Sequence, residues 1–475
     1  MLAAWSLLLN CSSEEVKTSR GRDASTNSAE PDAYSDAGAI PDSSISDAGS
    51  MDAGNPSREL DDIIAELLQQ QETTPTALDP APLVRDEEYE LGRYLFFDPI
   101  LSGNRDVSCA TCHNPDFGTS DGISLSIGTG GNGEGPQRVE GSHPPFVPRH
   151  AMDLFNRGHA DIKTLFWDGR VRVNESNMLE AGITLPPGLS GALAAQSLLP
   201  MLDRLEMRGY AVTTSTTNEL AAFDDGQIFE IWSAMVERLL QIDGYQRLFA
   251  EAYPATELSQ INIAHVANAL AAFQTRAFEA TNTPWDNYLR GNKAALTTAQ
   301  KLGVIFFFDS AQCGRCHSGP HLSDHDFHNT AVPVIGPGYA NGNTLDYGRY
   351  FVTGLESDKF RFRTSPLRNV MHTAPYMHNG SLVDLQDVLK HYAAPLDTAK
   401  DFTGDKLLPE LQSTVDQEES TIAALTSSVA EEVIVTSSGT SFIGLSNLRQ
   451  FMHALTDPSV EKLHELRPES LPADW

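Results

Sequence analysis

The sequence predicts a mainly α protein built from two similar units, with long loops and little strand, and three observations carry that prediction. Apolar residues recur at helical spacing in segment after segment, while strand-like alternation is rare. Two copies of one short signature stand about two hundred residues apart, Cys109-Ala110-Thr111-Cys112-His113 and Cys313-Gly314-Arg315-Cys316-His317. Each copy follows a helical segment that closes on the same words, Leu95-Phe96-Phe97-Asp98 and Phe306-Phe307-Phe308-Asp309.

C-x-x-C-H is the attachment pattern of c-type haem. The two thiols form thioethers to the porphyrin vinyl groups, and the adjacent imidazole is placed under the iron. A structural zinc site needs four protein ligands close together, and a redox dithiol needs no following histidine. The pattern occurs twice and uses four of the five cysteines. Two covalently bound c-type haems are therefore expected on Cys109, Cys112, Cys313 and Cys316, with His113 and His317 as iron ligands.

At 475 residues the chain is too long for one small core, and about 150 residues per domain suggests two or three units. A formal charge of −31 excludes a nucleic-acid reader of the usual electrostatic kind. Forty per cent hydrophobic and twenty per cent charged residues suit a soluble globular enzyme.

In chain order, residues 1–58 read as a signal- or lipoprotein-like start and a disordered acidic tether. The apolar run ending Leu7-Leu8-Leu9-Asn10-Cys11 resembles a lipoprotein signal with Cys11 as the lipidated residue, although a basic leader is missing; an ordinary apolar N-terminus is the alternative. The Ser-, Asp-, Ala- and Gly-rich stretch after it cannot bury enough apolar surface to offset the entropy of ordering. Residues 59–285 are expected to form the first haem domain and 286–475 the second. Helical spacing begins near Leu60–Leu68, and a second helix over Asp86–Phe97 ends before Asp98-Pro99. A Gly- and Pro-rich loop runs from His113 to about Pro148, long enough to need a use such as wrapping a haem edge. Helices are expected over Gly191–Leu205, Gln227–Leu240, Tyr245–Glu251, Ile263–Phe278, Thr297–Phe308, Leu382–Tyr392 and Ile443–Leu455. Residues 397–440 read as an irregular insertion.

From Asp86 to Pro458 the chain resembles the bacterial di-haem cytochrome c peroxidase and MauG family. The resemblance rests on Leu91-Gly92-Arg93-Tyr94-Leu95-Phe96-Phe97-Asp98, Leu165-Phe166-Trp167-Asp168-Gly169-Arg170, Ser365-Pro366-Leu367-Arg368-Asn369-Val370 and Thr373-Ala374-Pro375-Tyr376-Met377-His378-Asn379-Gly380. It implies two cytochrome c-like haem domains packed together. The N-terminal haem would meet peroxide and the C-terminal haem would relay electrons.

The resemblance also implies site residues. Gln196, Pro200 and Glu206 match the distal set, with Glu206 as acid–base catalyst, Gln196 orienting peroxide and Pro200 keeping the distal face apolar. Thr129 stands where many relatives carry a distal histidine, so the first iron is expected to be five-coordinate; His143 and His150 are the nearby substitutes. Trp167 matches the tryptophan between the haems. Tyr392 falls at the far ligand of the second iron, where the peroxidase branch has Met and the MauG branch Tyr; His391 and Met377 are the alternatives. A phenolate there stabilises oxidised iron. A Ca²⁺ is implied at Thr373 and Pro375, but His150 replaces the expected Asn, and imidazole is a poor ligand for a hard cation.

The expected activity is reduction of hydrogen peroxide to water with electrons from a small redox protein, a cytochrome c or cupredoxin, in the periplasm. A MauG-like oxidase acting on Trp or Tyr of a partner protein is the alternative, favoured by Tyr392 and Thr129. Against it, the tryptophan that serves MauG as surface exit is Ala311 here. A non-enzymatic electron carrier is the third reading, and it would have no need of a distal acid.

Overall fold

The structure is a computed structural model that describes residues 56–139, 141, 146–211, 218–339, 345–431, 433 and 442–472. Cys11, His143 and the tether up to residue 55 lie outside the described residues; Pro56, Ser57 and Arg58, expected in the tether, instead open a helix. Residues 1–53 and 54–475 fall into separate units, and everything below concerns the second.

Helices dominate: α1 (Pro56–Gln69), α2 (Asp86–Phe97), α3 (Cys109–Cys112), α4 (Ala192–Leu198), α5 (Ile228–Leu240), α6 (Asp243–Ala252), α7 (Ile263–Ala277) and α8 (Pro284–Leu289). There follow α9 (Thr298–Phe308), α10 (Tyr350–Thr353), α11 (Leu385–Ala393), α12 (Pro395–Asp401), α13 (Pro409–Gln412), α14 (Glu419–Thr426) and α15 (Phe442–His453). Among the described residues strand is confined to an antiparallel trio, β1 (Thr164–Leu165), β2 (Val171–Val173) and β3 (Leu179–Glu180), and a pair, β4 (Phe327–His328) with β5 (Phe362–Arg363).

Local chemistry sets these ends. Asp86, Glu87 and Glu88 occupy the first turn of α2, where the helix dipole favours negative charge. Asp98 then turns extended, and its carboxylate accepts the Ile100 N–H at 2.8 Å. A reciprocal box opens α9: the Thr297 hydroxyl accepts the Gln300 N–H, and the Gln300 side chain accepts the Thr297 N–H.

Two aromatic cores result. In one, α2 crosses α7, and Phe96 and Phe97 meet Phe273 and Phe278. In the other, α9 crosses α15, and Phe307 and Phe308 meet Phe451 and Trp285. The repeated words explain the parallel. A Cβ on Gly92 would lie 1.9 Å from the Ala269 carbonyl oxygen, and one on Gly303 2.2 Å from that of Asn447. Each glycine stands six residues before the closing Asp, and each lets backbone meet backbone.

Three expectations need adjustment. Helix α1 packs on α9, with Ile64 and Leu68 in the second core, although its sequence position groups it with the first. The segment expected over Gly191–Leu205 stops as a helix at Leu198, because Pro200 follows, and resumes as one π-helical turn at Arg204–Arg208. Residues 397–440 are not irregular throughout. Leu407 and Leu411 pack with Ile123, Leu125 and Ile127 of the loop after the first motif, and Leu425 packs with Ala331 and Phe360. That loop is also braced internally: the buried Arg138 guanidinium donates to the carbonyls of Ile127, Gly128 and Gly133.

Candidate active site

Each signature opens onto its own cavity. Cys109, Cys112 and His113 line one of ≈ 620 Å³, and Cys313, Cys316 and His317 line one of ≈ 200 Å³. All four cysteines are free. Burial pushes the Cys109 and Cys313 thiols up to about 12, and the Cys112 thiol higher still.

The two histidines are held alike. His113 Nδ1 meets the Thr119 carbonyl oxygen at 3.1 Å, and His317 Nδ1 meets that of Leu322 at 3.0 Å. Both acceptors are buried non-glycine residues in the left-handed region, with φ of +64° and +53°. Such conformations are sparse, and here they turn a carbonyl toward a ring. Donation from Nδ1 leaves Nε2 as the lone-pair nitrogen, and burial lowers both imidazoles so that they stay neutral. Paired free thiols beside a neutral, oriented imidazole suit a covalently attached haem at both places. Buried polar atoms without partners on the walls suit it too: Arg157 Nη1 and Ser126 Oγ at the first cavity, Gln312 Oε1 and His378 Nδ1 at the second.

Gln196, Pro200 and Glu206 all line the first cavity. Gln196 comes from α4, whose other face packs on α7. Glu206 sits in the π turn, a geometry often found at functional sites. The Asp203 carboxylate caps that turn by accepting the N–H groups of Leu205 and Glu206 at 2.8 and 3.0 Å. Burial pushes the Glu206 carboxyl up to about 7, Asp203 adds to the rise, and Arg170 and Arg149 oppose it.

Thr129 lies outside the cavity lining. Its N–H donates to the Glu206 carbonyl at 3.0 Å, and its hydroxyl donates to Asp106 at 2.8 Å. His150 borders both cavities, but both its nitrogens are engaged, Nε2 with Ser120 Oγ at 3.1 Å and Nδ1 with the Ile123 and Ser124 carbonyls.

Trp167 lines both cavities. Its carbonyl accepts the Arg363 N–H at 2.8 Å, so β5 of the second half grips the turn that carries the indole. On the second cavity stand Tyr392 and Met377, with Thr373 and Pro375, whereas His391 is absent from its lining and its Nε2 meets the Thr330 carbonyl at 2.7 Å. Burial, reinforced by the Cys316 and Cys313 sulfurs, raises the Tyr392 phenol. Ala311 is buried.

Sequence reading missed an ionic network beside the first cavity. The Arg149 guanidinium bonds Asp168 at 2.6 Å and both Asp346 oxygens, and lies 4.1 Å from the Tyr339 ring centroid. Arg170 bonds Asp168 at 3.3 Å and donates to the Tyr339 hydroxyl. Burial works to raise the Asp168 carboxyl, but Arg149 and Arg170 hold it down to about 2. Asp168 and Arg170 were visible beside Trp167; nothing local marked Asp346 or Tyr339.

Known proteins resemble this chain along most of its described length. The family model for di-haem cytochrome c peroxidase matches residues 86–294. The methylamine utilization protein MauG of Methylorubrum extorquens is 31% identical over 307 residues, which are 64% of this chain and 68% of that protein. The cytochrome c551 peroxidase of Pseudomonas aeruginosa is 29% identical over 310 residues, 64% and 71% of the two chains. Among solved structures, a MauG-like protein associated with microbial copper homeostasis aligns with a TM-score of 0.55 and 25% identity, covering 81% of this chain and 95% of that one. The di-haem peroxidase BthA of Burkholderia thailandensis aligns at 0.51 and 18%, covering 82% and 94%, a likeness of fold.

Proposed function

The chain belongs to the di-haem cytochrome c peroxidase family, and on that premise we propose that it is a di-haem peroxidase reducing hydrogen peroxide to water with electrons from a small redox protein. Peroxide takes up two electrons and two protons and leaves as two waters. The bound haems supply the iron redox chemistry; the chain supplies position and protons. Cys109, Cys112, Cys313 and Cys316 attach them, and His113 and His317 offer Nε2 to the irons. In this reading the haem domains span 59–285 and 286–475, each built mainly around one aromatic core; Ile64, Leu68 and Trp285 pack in the second core and Leu463 in the first.

Glu206 is the acid–base catalyst in this reading. Its carboxylate takes a proton from incoming peroxide and returns it to the departing oxygen. The supporting observation is its place on the first cavity, with a carboxyl pushed up to about 7. Gln196 orients peroxide through its amide, and Pro200 leaves that wall without a competing ligand. Trp167 carries charge between the two sites. The test is steady-state peroxide consumption by the mature protein with reduced cytochrome c or cupredoxin; no consumption with either donor would remove the reading.

One observation favours the MauG-like alternative, oxidation of Trp or Tyr on a partner protein: Tyr392 borders the second cavity and His391 does not. Ala311 speaks against it, being small and buried. Calcium at Thr373 and Pro375 has poor support, since His150 offers nitrogens already bonded to protein groups. We place the protein in the periplasm, as bacterial cytochrome c peroxidases are. Among the described residues no helix is long and apolar enough to cross a membrane.

A further inference from the structure

We propose that His159, Asp161 and His321 form a binding site for one divalent transition-metal ion of the zinc or copper(II) class, separate from both cavities. None of the three lines either cavity. One ligand atom from each lies within 4.8 Å of the other two. His321 Nε2 stands 3.0 Å from both Asp161 carboxylate oxygens, and the two imidazole rings meet edge-on with centroids 5.3 Å apart.

Unsatisfied nitrogen points to a missing partner. His159 is 8% exposed and His321 2%. His159 Nε2 and His321 Nδ1 are nevertheless buried without a hydrogen-bond partner. An ion held through His321 Nε2, the nitrogen beside Asp161, would leave His321 Nδ1 as it is, so the orphaned atom that bears on this site is His159 Nε2. The Asp161 carboxylate satisfies only His321 Nε2, so a proton-mediated pair leaves His159 Nε2 unanswered. A metal ion answers it with a lone-pair bond.

The donor set selects the ion. Two imidazoles and one carboxylate are borderline ligands that suit zinc and copper(II), while calcium and magnesium require oxygen. With metal–ligand bonds of about 2.0–2.2 Å, tetrahedral ligand atoms stand roughly 3.3 Å apart. Closing the triad to that spacing takes side-chain movement on the order of 1 Å. The Asp161 side chain is 56% exposed, so water can reach a fourth position. Asp79 and Glu279 add negative potential at His159. Arg368 is the opposing charge near both rings, but it is committed to Asp286 and the Pro320 carbonyl. Burial keeps both imidazoles neutral, as metal binding requires, with His321 lowered to about 4. The ion would tie residues 160 positions apart, joining the turn before β1 to the stretch after His317.

The test uses mature haem-loaded protein, stripped with chelator, loaded with zinc chloride or copper sulfate, desalted and assayed by elemental analysis against iron. We expect one zinc or copper for every two irons. Asp161→Asn and His159→Gln should each lower the bound metal at least tenfold at the same free concentration, with the haem absorption spectrum unchanged. Asp161→Asn, on an exposed side chain, keeps the test valid should the buried substitution disturb folding. Wild type that retains neither ion, or retention undiminished in Asp161→Asn, overturns the site.

Discussion

The indole Nε1 of Trp167 donates to the backbone carbonyl of His150 at 2.9 Å. That single bond pins a ring that borders both cavities, and the His150 N–H in turn donates to the His378 carbonyl at 2.9 Å. The oxidisable side chain between the sites is thus fastened at its polar edge, with its fused rings left to the cavity walls.

Trp167→Phe keeps the aromatic bulk and removes the N–H donor and the easily oxidised indole. The expected outcome is an intact first site with a severed link. Rapid-mixing spectra with peroxide should show change at the first haem without the accompanying change at the second, and steady-state turnover should fall at least tenfold. Full spectral change at both haems would deny the relay.

Glu206→Gln removes the proton-handling group while keeping the shape. Loss of general acid–base catalysis should cost about 10²–10⁴-fold in kcat/KM for peroxide, with both haems still attached. In wild type the carboxylate form is needed to accept the peroxide proton. Activity should therefore rise with pH through about 7 and fall about tenfold per unit below it, and the variant should lose that limb. Stability carries the opposite sign. A carboxyl raised from 4.5 to about 7 by folding favours the native state below 4.5 and loses that contribution as pH rises through 7. Glu206→Gln should accordingly melt higher than wild type at pH 8, and the two should converge near pH 4.

Tyr392→Met exchanges a phenolic oxygen for a thioether on the wall of the second cavity. If Tyr392 ligates the second iron, the midpoint potential of that haem rises and electron uptake from reduced cytochrome c speeds up. Spectroelectrochemical titration checks it; an unmoved potential would return the role to Met377, which borders the same cavity.

Gly92→Ala and Gly303→Ala each push a methyl into a carbonyl of the crossing helix. Each should destabilise by about 1–3 kcal/mol or more, read from thermal or denaturant midpoints, because neither backbone can retreat without opening an aromatic core. Gly226→Ala, where a Cβ meets nothing within 4 Å, is the control and should change little.

Much of this was legible in the chain because it rests on local, repeated words. The helices over Asp86–Phe97 and Thr297–Phe308 and both signatures could be read from the residues themselves, while Gln196, Pro200 and Glu206 came only through the family resemblance; the structure brings those three to one cavity with Cys109, Cys112 and His113. What stayed hidden depends on distant partners. Arg149 meets Asp346 across 197 residues, and His321 meets Asp161 across 160, pairings that no local pattern announces. The π turn was hidden for another reason: Pro200 breaks the helix, while the Asp203 cap that restarts a turn reads as any acidic residue. Residues 397–440 read as irregular because described apolar positions there answer to distant segments: Leu407 and Leu411 to the loop after the first motif, Leu425 to Ala331 and Phe360.

The central claim is most directly tested by stopped-flow absorption of the mature wild-type protein mixed with one equivalent of hydrogen peroxide. The account predicts rapid change in the bands of both covalently attached haems, consumption of the peroxide, and return to the starting spectrum when reduced cytochrome c or cupredoxin is added. A spectrum that peroxide leaves untouched, in protein carrying two haems, would contradict it.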